Sequence, residues 1–83
     1  MATILRLPRV LAESGKTRSP LYADIAAGLW TRPIKLSARA AGWPEYECDE
    51  LIAARIAGQS DAEIRKLVDR LHAARKDVAR LVA

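Results

Sequence analysis

The sequence has no phenylalanine, one cysteine, one histidine, and only two tryptophans and two tyrosines among its 83 residues. A lone thiol, Cys48, excludes an internal disulfide, and His72 beside it is too little for a zinc site. No apolar run approaches the roughly 18 residues of a membrane span. The opening Met1-Ala2-Thr3-Ile4-Leu5-Arg6 lacks the long apolar region of a signal peptide. No nucleophile–base pair and no Gly-rich phosphate loop is present, so neither catalytic residues nor a small-molecule substrate is expected. At this length there is little core to share between two independent domains. The expectation is one reduced, cytoplasmic module, not an enzyme, without metal, cofactor or membrane contact.

What is present is charge, unevenly placed. The chain carries 14 Lys and Arg against 10 Asp and Glu, a net charge of +4. Residues 1–44 hold Arg6, Arg9, Lys16, Arg18, Arg32, Lys35 and Arg39 against only Glu13 and Asp24. Four acids then crowd together at Glu45, Glu47, Asp49 and Glu50. A basic N-terminal half is the footprint of a surface that meets a polyanion, although a solvated face with extra arginine gives the same count.

Local signals place the elements. Pro8 suits a first helical turn and Gly15 a helix end, which predicts a helix over 8–14. Thr17 is a good N-cap whose side-chain oxygen can satisfy a backbone donor. Arg18, Ser19 and Pro20 form the next first turn, Leu21 and Ile25 mark a buried stripe that Leu29 extends, and Gly28 stops that helix. Two short helices joined by a Gly-containing turn are the pattern of a helix-turn-helix. Ile34-Lys35-Leu36 then alternates as a half-buried strand does, with a turn at 37–40 and a return strand at 41–43. Such a hairpin presents Lys35 and Arg39 outward and Ile34, Leu36 and Trp43 inward.

Pro44 opens a third helix, with Glu45 and Glu47 near its positive end. Cys48, Leu51, Ile52, Arg55 and Ile56 follow the spacing of one face, and Gly58 ends it. Cys48 is expected as a small buried apolar side chain, since nearby acids raise a thiol's pKa. Ser60-Asp61-Ala62-Glu63 is a capping box. Beyond it Ile64, Leu67, Leu71, Ala74, Val78 and Leu81 step by three and four, a heptad seam that Val68 and Val82 widen. About 22 residues at 1.5 Å each give about 33 Å, more than so small a domain needs to cover. The first two turns are expected to dock on the core. Self-association is favoured for the distal ones, with Leu67, Leu71, Ala74, Val78 and Leu81 as its residues and a homodimer as its product. In a parallel pair Arg70 would meet Arg75 of the second copy, so an antiparallel or crossed pair is expected. His72 lies off the seam and reads as solvent-facing.

Several stretches resemble the AlpA-type prophage regulators, a family that is itself similar to phage excisionases and to MerR-like winged helices. They are Arg6-Leu7-Pro8-Arg9-Val10-Leu11, Ser14-Gly15-Lys16-Thr17-Arg18-Ser19 with Leu21-Tyr22, and Ala27-Gly28-Leu29-Trp30. Arg32-Pro33-Ile34-Lys35-Leu36, Arg39 with Gly42-Trp43, and Glu47-Cys48-Asp49 running to Ala53-Ala54-Arg55 follow in order. The resemblance covers about residues 4–57. The family usually has Phe-Pro at Trp30-Thr31, Gly at Ser37, Trp at Leu51 and a small hydroxyl residue at Pro20. The first three differences read as packing or turn adjustments; Pro20 removes one polar group that can face DNA.

The resemblance implies a DNA-binding transcription regulator of a prophage or mobile element, with the second helix in the major groove and the hairpin as a wing on the backbone. Its fold is mainly α: a winged helix-turn-helix at 1–59, of three short helices and a small hairpin, and a long amphipathic C-terminal helix at 60–83. Double-stranded DNA is the implied partner and the nucleoid the implied place of work. Carried over by position, Thr17, Arg18, Ser19 and Tyr22 belong to the exposed start of the recognition helix, and Lys35 and Arg39 to the wing. Thr17 and Ser19 offer hydroxyls to phosphate. Arg18 has the planar fork that bonds both acceptors of guanine, or else a phosphate or an ion pair. Tyr22 reads equally as a DNA contact and as a core ring. Arg6, Arg9 and Lys16 are secondary phosphate candidates, and Trp30 and Trp43 are expected in the core. Two other functions remain open: an excisionase-like DNA-bending factor, and a phage module that binds a host protein, such as an antirepressor.

Overall fold

In the computed structural model, which describes residues 3–82 and side chains as far as residue 78, the chain opens with a two-residue strand, β1 (Ile4–Leu5). It turns at once into α1 (Leu7–Ser14), with Pro8 in the first turn, where a missing N–H costs nothing. Gly15 ends α1, its N–H donating to the Leu11 carbonyl at 3.1 Å. Lys16 and Thr17 lead directly into α2 (Arg18–Ala27). Thr17 occupies the N-cap as expected, but its hydroxyl makes no capping bond. Gly28 closes α2 at φ 77°, a left-handed conformation that a Cβ disfavours.

β2 (Ile34–Ser37) and β3 (Ala40–Pro44) form the expected hairpin, and β1 pairs with the other edge of β3, giving an antiparallel sheet of order β1-β3-β2. Two residues carry no periodicity, so nothing in the sequence pattern announces β1. The register opposes Leu5 to Trp43, Lys35 to Ala41 and Ile34 to Gly42, with an irregularity between Lys35 and Ser37. Directly opposed residues share a face and successive ones alternate. Lys35 therefore rises on the face of Ala41, Trp43 and Leu5, while Ile34 lies on the opposite face with Gly42 and Ile4. This corrects the expectation that Ile34, Leu36 and Trp43 point inward together; Leu36 is 45% exposed. Alternation within one strand does not set its register against the next, and a shift of one residue exchanges the faces. Gly42 is required by contact: a Cβ there would lie 2.5 Å from Ile4 Cγ2 and 2.9 Å from the Leu5 carbonyl oxygen.

Pro44 caps α3 (Glu45–Ile56), whose buried residues are Glu47, Cys48, Leu51 and Ala54. The stripe is turned from the expected one: Arg55 is exposed and Ile56 is 83% exposed. The last helix, α4 (Asp61–Val82), begins at the anticipated capping box. The Glu63 N–H donates to Ser60 Oγ at 3.2 Å, and the Ser60 N–H donates to Glu63 Oε1 at 3.1 Å. The Ser60 N–H foremost, and then the Ser60 side chain, hold the Glu63 carboxyl below its ordinary pKa. The 22 residues of α4 span about 33 Å at 1.5 Å each, close to the 35 Å longest dimension of the molecule.

One apolar core collects from every element except β2. Leu5, Val10, Leu21, Trp30, Trp43, Cys48, Leu51 and Ala54 meet Ile64, Leu67, Val68 and Leu71 of α4. Trp43 is centred by its indole N–H, which donates to the Thr31 carbonyl at 2.8 Å. Burial and the surrounding acids push the Cys48 thiol up to about 12, which leaves it a packing residue. The architecture is a mainly helical winged helix-turn-helix with a long C-terminal helix, as the sequence implied.

Candidate nucleic-acid interface

Thr17, Arg18 and Ser19 are exposed at the start of α2. One turn on, Tyr22 is 40% exposed, and the Arg18 guanidinium carbon lies 5.9 Å from the centroid of its ring. That is within reach of a cation–π contact, so Tyr22 is a half-covered platform under Arg18. Lys16 is placed differently. Its ammonium lies 2.7 Å from Asp24 Oδ2, tying the approach turn to the body of α2. Arg9 is likewise paired, with Glu13 one turn along α1.

Arg39 sits at the tip of the wing, in the turn between β2 and β3, and both it and Lys35 are exposed. A cleft of about 440 Å³ lies between wing and helices, lined by Arg6, Leu7, Pro8, Tyr22, Arg39, Ala41 and Trp43. It brings the start of α1, α2 and the wing onto one side of the molecule. Lys35 stands on the hairpin face that Ala41 presents to that cleft. Among the described residues, Arg6, Arg18, Lys35 and Arg39 make no ion pair.

Arg65, His72 and Arg75 of α4 are used in the opposite way. Arg75 binds Glu47 through two bonds of 2.8 and 2.7 Å, and its Nη2 also donates to the Arg32 carbonyl at 2.7 Å. The Glu47 side chain is fully buried and that of Arg75 is 21% exposed. His72 Nε2 accepts the Arg32 N–H at 3.0 Å, which corrects its expected place in solvent. Arg65 Nε donates to the Ala27 carbonyl at 3.0 Å. Three side chains of α4 thus grip the backbone at Ala27 and Arg32, the segment joining α2 to the wing. Burial foremost, then Arg32 and Arg75, holds the His72 imidazole below its ordinary pKa, against the smaller pull of Glu47 and Asp69. Sequence reasoning passed over this clasp. Its one visible trace is Glu47, an acid at the spacing of Leu51 and Ala54 on the inward stripe of α3.

The seam of α4 divides. Leu67 and Leu71 are buried in the chain's own core, while Ala74 and Val78 are partly exposed. The side chain of Leu81 lies outside the described residues. With Arg75 held by Glu47, its expected like-charge contact with Arg70 of a second copy no longer decides how two helices would run.

Among the described residues no group of His, Cys, Asp and Glu is arranged to hold a metal ion, and no helix is long and apolar enough to cross a membrane. The family model described as prophage CP4-57 regulatory protein (AlpA) matches residues 3–56, from the start of the sheet to the end of α3. No curated protein and no solved structure gives a significant match.

Proposed function

The chain belongs to the prophage CP4-57 regulatory protein (AlpA) family, and from that premise we propose that it is a sequence-specific regulator acting on double-stranded DNA at the nucleoid. The start of α2 enters the major groove and the hairpin wing lies along the backbone. Residues 1–59 form the DNA-binding part; residues 60–83 dock on it and carry self-association. Arg18 reads a guanine edge, Thr17 and Ser19 bond phosphate, and Lys35 and Arg39 follow the backbone from the wing.

The observation that carries this reading is the clustering of four exposed cations beside α2 and the wing. Arg6, Arg18, Lys35 and Arg39 stand without counter-ions around the α2–wing cleft, whereas Arg75 and Lys16 are paired. Unneutralised cations gathered on one face are what a polyanion requires. Selection of duplexes from a random library, followed by titration at several salt concentrations, tests it. Arg18→Ala is expected to weaken binding and relax preference at one base pair by about 1–3 kcal/mol. An unchanged preference at every position would remove Arg18 from the reading.

One wing-and-helix unit makes few contacts, so tight binding at physiological salt calls for two copies. The distal α4 seam, with Ala74 and Val78 partly exposed, supplies a surface for that pairing. Val78→Asp is expected to move the protein toward monomer in sedimentation with its circular dichroism unchanged. A wild-type protein that stays monomeric at high concentration would rule the pairing out.

A further inference from the structure

We infer that the cleft between the start of α1, Tyr22 and the wing tip is the seat of a single sugar–phosphate of the DNA backbone, gripped from both sides by Arg6 and Arg39. This rests on the reading of the chain as a DNA-binding protein and adds to it a second anchor, Arg6, which lies outside both α2 and the wing and shares its phosphate with Arg39 of the wing tip.

Arg6 and Arg39 are far apart in sequence, yet both line this one cleft. Both are exposed and neither has an ion-pair partner among the described residues. Two guanidinium groups in one cleft repel each other unless an anion lies between them, and a phosphate offers the planar fork its preferred acceptor. Arg6 is also the N-cap residue of α1, and its guanidinium, which has donors only, cannot bond the free N–H groups of that helix end. That end faces the cleft through Leu7 and Pro8, and the positive pole of α1 favours the same charge. The remaining walls, Leu7, Pro8, Ala41 and the rings of Tyr22 and Trp43, are largely apolar and suit a deoxyribose. The Tyr22 ring carries Arg18 5.9 Å away, so a strand seated here runs beside the side chain assigned to the groove.

The test uses a duplex selected from random sequence by the full-length wild-type protein, then rebuilt with one backbone phosphate at a time replaced by an uncharged methylphosphonate. Arg6→Gln and Arg39→Gln are each expected to weaken binding about tenfold on all sequences alike, leaving base preference intact. The scan on wild-type protein should show a phosphate whose neutralisation costs affinity, and that cost should vanish in the double variant R6Q/R39Q. Because both arginines hold one phosphate, the double variant should lower the slope of log affinity against log salt by about one, not two. Circular dichroism of each variant controls for folding, and R39K, which keeps charge without the fork, should recover only part of the affinity. Separate phosphates for the two arginines, a slope change of about two, or no effect of Arg6→Gln would overturn the clamp while DNA binding stands. A wild-type protein that selects no duplex even at low salt would overturn the DNA reading and the clamp together.

Discussion

The two sides of this molecule put the same kind of residue to opposite use. Around the α2–wing cleft Arg6, Arg18 and Arg39 are exposed and, among the described residues, make no ion pair. On the α4 side Arg75 is half enclosed, bonded twice to a fully buried carboxylate and once to a backbone carbonyl. A guanidinium whose donors bond its own chain fixes a fold; one with open donors waits for acceptors from another molecule. The difference follows from what surrounds each side chain. Glu47 leaves water when α3 packs against Trp43 and α4, and a carboxylate cannot be taken out of water without a cation at hand. Arg75 answers that requirement, and in doing so also holds the Arg32 peptide. Through the further bonds from His72 and Arg65, α4 is tied to the segment between α2 and the wing.

Breaking the enclosed side should have the largest effect. Arg75→Ala leaves the Glu47 carboxylate buried and alone, with an expected loss of about 3–5 kcal/mol in urea unfolding. Glu47→Leu together with Arg75→Met, which removes both charges, should regain much of it. If Arg75→Ala alone unfolds at the wild-type midpoint, the two sides do not differ as described.

A smaller effect belongs to His72. Its neutral ring accepts the Arg32 N–H, and its folded pKa lies below the ordinary 6.5. The proton is therefore held more weakly in the folded state than in the unfolded one. The stabilising contribution is complete above about pH 6.5 and is lost as pH falls from there. The difference in melting temperature between wild type and His72→Gln should shrink over that interval. A difference independent of pH would show that the imidazole is not the acceptor.

The smallest effects on stability should come from the open side. Arg18→Ala and Lys35→Ala are expected to change unfolding free energy by no more than about 0.5 kcal/mol, while weakening duplex binding. A large loss of stability from either would place it with Arg75 and sharpen the division at its expense.

Much of the fold was legible because its signals are local. Gly15, Gly28 and the Ser60–Glu63 box mark helix ends through bonds spanning three or four residues, and the chain obeyed each. The exposed start of α2 was legible for the same reason. The interior face of the hairpin was not: alternation in Ile34-Lys35-Leu36 is compatible with either face, and the pairing with β3 chose the one that left Leu36 outside. Nor was the state of each cation. Lys16 looked as available as Arg18, but the bend between α1 and α2 brings it to Asp24.

By itself, then, the order of residues determined where helices start and stop, that a basic hairpin follows a helix-turn-helix, and to which family the chain belongs. Packing alone decided which charges are enclosed. Glu47 and Arg75 are 28 residues apart and Arg32 and His72 are 40 apart. Contacts at such separations form only when α3 and α4 close over a common core, and the electrostatic state of a side chain depends on the neighbours and the water left after that closure.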